Sequence, residues 1–166
     1  MTKPGIQIEI DGFHPLDIRT MVSDFTGTLS CRGKLSAGVR ELLMILSEWI
    51  DIHVISSDSF GTAKQELFQV PSVNFEDLSK TSGPHDVAKQ RYVQKLEPVH
   101  VVALGNGNND RLMLRTTKGR GLAIAVDNGE GCAMDTLMNA DLIVTGAVNA
   151  LNLLLIRNSC KATLRS

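Results

Sequence analysis

Two things are scarce in this chain of 166 residues: cysteine and long apolar runs. Cysteine stands only at Cys31, Cys132 and Cys160, with no Cys-x-x-Cys pair and no histidine at a ligand interval beside them. An odd count at such wide spacing argues against both a structural zinc site and a disulfide framework. No segment reaches the roughly 18 to 20 uninterrupted apolar residues that span a bilayer, and MTKPGIQIEI lacks the apolar stretch of a signal peptide. A cytoplasmic protein without membrane partners is expected. Excess positive charge is missing too: 17 Lys and Arg face 18 Asp and Glu, a formal net charge of −1. With no surplus of cations to neutralise a phosphate backbone, a general nucleic-acid binder is excluded. Internal repeats, low-complexity tracts and long linkers are absent as well.

What is present is the composition of a folded domain, 43% hydrophobic and 21% charged, and the length suits one well-buried core across 1–166. Ile6, Ile8 and Ile10 alternate with polar neighbours and run into Asp11-Gly12, so residues 1–17 are read as a strand opening a hairpin. Ile18 to Asp24 is the next strand. From Ser36, a plausible N-cap, the period changes: Val39, Leu42, Leu43, Leu46 and Trp49 fall at helical steps. Apolar strands follow at Ile50 to Ser57, Pro98 to Gly105 and Gly121 to Val126, with helical stretches between them, and NALNLLLI reads as a core helix. The last residues, 160–166, look like a frayed basic end. Strands apolar on both faces and alternating with helices predict a three-layer α/β/α sandwich with a mainly parallel, Rossmann-like sheet.

In such sheets ligands collect beyond the carboxyl ends of the strands. The residues there are Asp24-Phe25-Thr26-Gly27-Thr28, Ser56-Ser57-Asp58, and Gly105-Asn106-Gly107-Asn108-Asn109-Asp110, with Lys89 on the helix before the last strand. A strand-end carboxylate such as Asp24 can attack phosphorus in line if a cation offsets the charge repulsion. Mg²⁺ takes hard oxygens, which Asp24, Asp110 and Asn106 carry. Ser56 offers a hydroxyl and Lys89 a positive charge for the non-bridging oxygens. The Gly105 to Asp110 loop is no dinucleotide fingerprint, because Asp110 occupies the place of the third glycine. His14, His53, His85 and His100 lie apart and read as packed or exposed side chains.

VSDFTGTLS, VISSD, Lys89 in HDVAKQRYVQKL, and LGNGNNDRLML together resemble the four motifs of the haloacid dehalogenase superfamily, in order, from about Ile18 to about Leu151. Asp-Phe-Thr-Gly-Thr is similar to the Asp-Lys-Thr-Gly-Thr of P-type ATPases, where most phosphatases of the superfamily carry a second Asp in place of Thr26. The resemblance implies a Mg²⁺-dependent phosphohydrolase or phosphotransferase working through a phosphoaspartate. Asp24 would be the nucleophile, the Thr26 carbonyl a metal ligand, Ser56 a phosphate donor, Lys89 the charge-neutralising group and Asp110 the acidic anchor of the metal. Gly27 would permit the close turn, with Thr28, Ser57 and Asn109 near the phosphate. Asn106 replaces the family's usual acid, giving the metal an oxygen without charge. The intervals between Asp24, Ser56 and Lys89 hold no large cap and no nucleotide-binding domain, which excludes a transport ATPase. A Thr hydroxyl is a poor general acid, so slow turnover on generic phosphate esters is expected, about 10² to 10⁴ below an assisted reaction. The substrate expected is a small phosphorylated molecule, and a homo-oligomer could cover the open site. The competing reading is a degenerate module that binds Mg²⁺, phosphate or a protein without turnover.

Overall fold

The computed structural model describes residues 2–166. Its first elements follow the alternation of the sequence: β1 (Ile6–Ile8) and β2 (Leu16–Ile18) pair antiparallel, with the isoleucines facing inward. The turn predicted at Asp11-Gly12 closes through Phe13 N–H to the Ile10 carbonyl at 3.2 Å, and Gly12 takes the positive φ of 74° that it requires. The single strand expected from Ile18 to Asp24 is instead two. Arg19 turns its N–H to the His100 carbonyl, and β3 (Thr20–Ser23) starts a different sheet.

That sheet is the frame of the domain. After the short antiparallel pair β4 (Ser30–Cys31) and β5 (Lys34–Leu35) come α1 (Val39–Ser47), β6 (Asp51–Ser56), α2 (Ala63–Leu67) and β7 (Val73–Asp77). The second half runs α3 (His85–Gln94), β8 (Val101–Gly105), α4 (Arg111–Thr117), β9 (Leu122–Asp127), α5 (Met134–Met138), β10 (Leu142–Thr145), α6 (Ala147–Leu155) and α7 (Arg157–Leu164). Six strands lie in the order β10-β9-β8-β3-β6-β7, every neighbouring pair parallel. Parallel strands need crossovers, and the helices between them cover both faces, as the three-layer reading requires.

Alternation along the strands sorts the core into two layers. Val102 and Leu104 of β8 and Leu122, Ile124 and Val126 of β9 face a large cluster with Leu43, Leu46, Leu151 and Leu154 of α1 and α6. Their neighbours Val101, Ala103, Ala123 and Ala125 face a smaller one with Val93, Met113 and Leu114 of α3 and α4. Three further local expectations are corrected. Gly38, at φ 88°, precedes α1 in place of Ser36, whose hydroxyl accepts instead from Asn128 Nδ2 at 2.8 Å. Edge strand β7 had no counterpart in the sequence reading. The supposed frayed end is mostly α7, with Cys160 fully buried and Ser166 N–H bonded to the Asp11 carbonyl. Among the described residues no helix is long and apolar enough to cross a membrane.

Candidate active site

The strand order reverses at β3: the chain leaves it toward β6 and β7, then returns to its other side with β8. A crevice therefore opens between the carboxyl ends of β3 and β8, and in this class of sheet ligands bind there. Asp24 N–H still bonds the Leu104 carbonyl at 3.0 Å, so the residue after β3 is held in register with the end of β8. The chain then coils around one acceptor. The Phe25 carbonyl takes the N–H groups of Thr28, Leu29 and Ser30 and the Ser30 hydroxyl, while the Phe25 ring is sunk in the larger core. Gly27 has φ 77°, and a Cβ there would lie 2.4 Å from Asn106 Nδ2. Only glycine lets the two loops approach this closely.

Lys89, fully buried on α3, places Nζ 2.6 Å from Asp24 Oδ1 and 2.7 Å from Asp110 Oδ1. Two carboxylates thus face one ammonium out of water. Burial, then the Asp110 charge, raise the Asp24 pKa to about 6 against the opposing Lys89 cation. Burial works against the Lys89 charge, but the charges of Asp110 and Asp24 outweigh it, so the ammonium holds its proton more tightly than usual. Breaking such a cluster by removing the cation is far more costly than the net worth of the pair, because it strands buried charge.

A cleft of about 130 Å³ lies above this triad. Of the predicted residues, Asp24, Thr26, Ser56, Ser57, Asn106 and Asn109 line it; Gly27, Thr28, Lys89 and Asp110 lie behind or beneath. Ser59 and Gly107 line it too and were not singled out from sequence. The volume is well below the roughly 300 to 1,000 Å³ of sites that enclose a drug-sized ligand, and suits a small group presented at an open mouth. Ser56, 1% exposed, accepts from Asp58 N–H at 2.9 Å, which leaves its O–H free to donate. Ser57 Oγ is 2.6 Å from His85 Nδ1, a pairing that no local sequence pattern announces. The Thr28 hydroxyl lies 3.1 Å from Asn106 Oδ1 and 3.3 Å from Asp24 Oδ2. The Thr26 hydroxyl is buried without a partner.

Asp110 is largely engaged by the protein: Oδ1 binds Lys89, and Oδ2 accepts the N–H groups of Asn106 and Gly107, each at 3.0 Å. It shapes the loop and anchors the lysine. Among the described residues no group of three His, Cys, Asp or Glu side chains forms a metal cage. The cleft does offer the Asp24 carboxylate, the Asn106 amide oxygen and backbone carbonyls, all hard oxygens. That set fits Mg²⁺, which binds through one or two carboxylates and keeps water or substrate phosphate in its remaining positions.

Fold and crevice define the class: the chain has the haloacid dehalogenase fold. It superposes on a Streptomyces avermitilis protein of the HAD hydrolase family with a TM-score of 0.64 at 16% identity, over 95% of this chain and 91% of that one. A 3-deoxy-D-manno-octulosonate 8-phosphate phosphatase of Moraxella catarrhalis, in complex with magnesium, phosphate and KDO, gives 0.60 at 20% identity over 89% and 94%. The cobalt-bound deoxy-D-mannose-octulosonate 8-phosphate phosphatase of Haemophilus influenzae gives 0.62 at 10% identity over 90% and 94%. No protein-family model matches the chain. In sequence, it belongs to one family with an uncharacterised protein of Methanocaldococcus jannaschii, 37% identical over 87 residues, which are 50% of this chain and 90% of that protein.

Proposed function

We infer that the protein is a Mg²⁺-dependent phosphohydrolase or phosphotransferase in which Asp24 is the nucleophile toward a small phosphorylated substrate. The observation that carries this reading is the buried Asp24–Lys89–Asp110 cluster at the mouth of the β3–β8 crevice. A carboxylate held by one oxygen, at a strand end, beneath a small polar cleft, is arranged for attack rather than for structural pairing alone. The Moraxella protein, of the same fold, holds magnesium and phosphate ions.

In this reading the division of labour within Asp24 is set by its partners. Oδ1 is tied to Lys89, while Oδ2 has the long contact from Thr28, so Oδ2 attacks phosphorus as the bond to the leaving oxygen breaks. Lys89 commits two of its three N–H donors to carboxylates; it fixes the attacking group and offsets charge on the phosphoryl oxygens. The Ser56 O–H donates to one of those oxygens. A divalent cation held by Asp24, the Thr26 carbonyl and Asn106 would supply further neutralisation of the phosphoryl group. With a threonine at position 26 no carboxylic acid protonates the leaving group, so substrates with good leaving groups, acyl phosphates above all, react best and the phosphoenzyme hydrolyses slowly.

The test is to trap it. Wild type and Asp24→Asn are incubated with acetyl phosphate and Mg²⁺, quenched in acid and weighed by mass spectrometry. A one-phosphate adduct on wild type alone, decaying slowly, is expected. No adduct on either, with or without Mg²⁺, would leave the site as a binding module and overturn the catalytic reading.

A further inference from the structure

Asn106 occupies the position where the resemblance calls for an acid, and its surroundings call for an amide. Nδ2 donates to the Gly131 carbonyl at 3.1 Å at the exposed rim of the cleft, and the Asn106 backbone carbonyl accepts from Ala133 N–H at 2.7 Å. A carboxylate in the same rotamer would set a charged oxygen against the Gly131 carbonyl with no hydrogen between them. The donated bond also decides which end of the amide meets the cleft: Oδ1 faces the Thr28 hydroxyl. A single neutral oxygen is offered where aspartate would offer two that share a charge.

The loop that receives this bond, residues 127–133, is fastened at both ends. Asp127 Oδ1 accepts the N–H groups of Gly129 and Gly131, each at 3.1 Å. Glu130 Oε2 accepts from Arg32 N–H at 3.2 Å, and Asn128 Nδ2 donates to the Ser30 carbonyl at 3.2 Å. The loop therefore joins the β4–β5 hairpin, which follows the nucleophile, to the rim residue that follows β8.

We propose that Asn106 is a specificity-determining residue: its NH₂ clamps the 127–133 loop, and its neutral oxygen makes the cleft hold a divalent cation firmly only together with a phosphoryl group. Two carboxylates and one ammonium leave a single negative charge in the triad. A dication turns this to a single positive charge, which attracts a dianionic phosphoryl group; an aspartate at 106 would cancel that attraction while strengthening the hold on the free cation. The phosphoryl part of this statement rests on the function proposed above, and the clamp does not.

The experiment is calorimetric titration with Mg²⁺, alone and with inorganic phosphate, joined to hydrogen exchange of residues 127–133. In Asn106→Asp, Mg²⁺ alone binds about tenfold tighter, phosphate adds less to that affinity than in wild type, and the loop exchanges faster. Asn106→Ala loosens the loop equally but binds Mg²⁺ more weakly than wild type. Loop protection at the wild-type level in Asn106→Asp, or an undiminished gain from phosphate, overturns the proposal. Asp127→Ala, outside the cleft, guards against variants at 106 that fail to fold. It loosens the loop and lowers the gain from phosphate, and Asp127→Asn, which keeps an acceptor, restores both. A loosened loop with the gain intact would show that the clamp has no bearing on the site. None of these readouts uses phosphoryl transfer, so failure of trapping on Asp24 and failure of the clamp are told apart.

Discussion

The two faces of β9 are built from different sizes of side chain. On the α1–α6 face, β9 presents Leu122, Ile124 and Val126; on the α3–α4 face the same strand presents Ala123 and Ala125, and β8 adds Ala103. Large residues on the first face supply most of the apolar burial that holds the domain together. Small residues on the second let α4 lie close to β8 and β9, and α4 packs in turn against α3, which carries Lys89 to the two carboxylates. Most of the apolar burial and the placement of Lys89 thus fall on opposite sides of one sheet, while Phe25 anchors the Asp24 loop in the larger layer.

The largest effect is expected where the second face meets the site. Lys89→Met leaves Asp24 and Asp110 buried without their cation and should cost about 3 to 5 kcal/mol in denaturant unfolding, with loss of phosphoenzyme. Next, Ile124→Ala opens a cavity in the larger layer and should cost about 2 to 5 kcal/mol, yet leave the phosphoenzyme yield of the remaining folded protein near wild type. Ala123→Leu reverses the pattern: overpacking costs about 1 to 3 kcal/mol, but displaces α4 and, through it, α3, and lowers phosphoenzyme yield severalfold. If Ile124→Ala and Ala123→Leu affect stability and labelling in the same proportion, the two faces do not divide the work. The smallest effect is at His53, half-buried beside Tyr92 under α3, whose pKa is lowered mainly by burial. The unfolded chain takes up that proton first, so the His53 contribution to stability is present above the ordinary histidine pKa of about 6.5 and is lost as pH falls through it toward the folded value. His53→Gln should flatten the stability profile where pH falls through about 6.5, as measured by urea unfolding.

Most of the crevice was legible because each of its parts sits at a strand end or on the helix preceding one, and the order of motifs survives without knowledge of packing. Residues whose roles depend on a distant partner were not. Asp110 reads as a metal anchor from its place after Gly-Asn-Gly, but the sequence did not announce that the same tight turn directs two backbone N–H groups at its Oδ2. The Ser57–His85 contact joins the end of β6 to the start of α3, which only the crossover brings together. Strand β7 escaped because an edge strand with Asn74, Glu76 and Asp77 lacks the apolar run of a strand covered on both faces. Helix α7 escaped for a related reason: Cys160 alone is fully buried among charged and polar neighbours, too little to show a period.

The β4–β5 hairpin has only two residues in each strand, and it leaves the chain immediately after the coil around the Phe25 carbonyl. Its turn is tied on two sides, by Arg32 N–H donating to Glu130 Oε2 and by the Thr62 hydroxyl donating to the Gly33 carbonyl, so the hairpin links the chain that follows Asp24 to the loops after β6 and β9. A longer hairpin grafted here would have to release both ties, and would disturb the rim of the cleft along with whatever it admits.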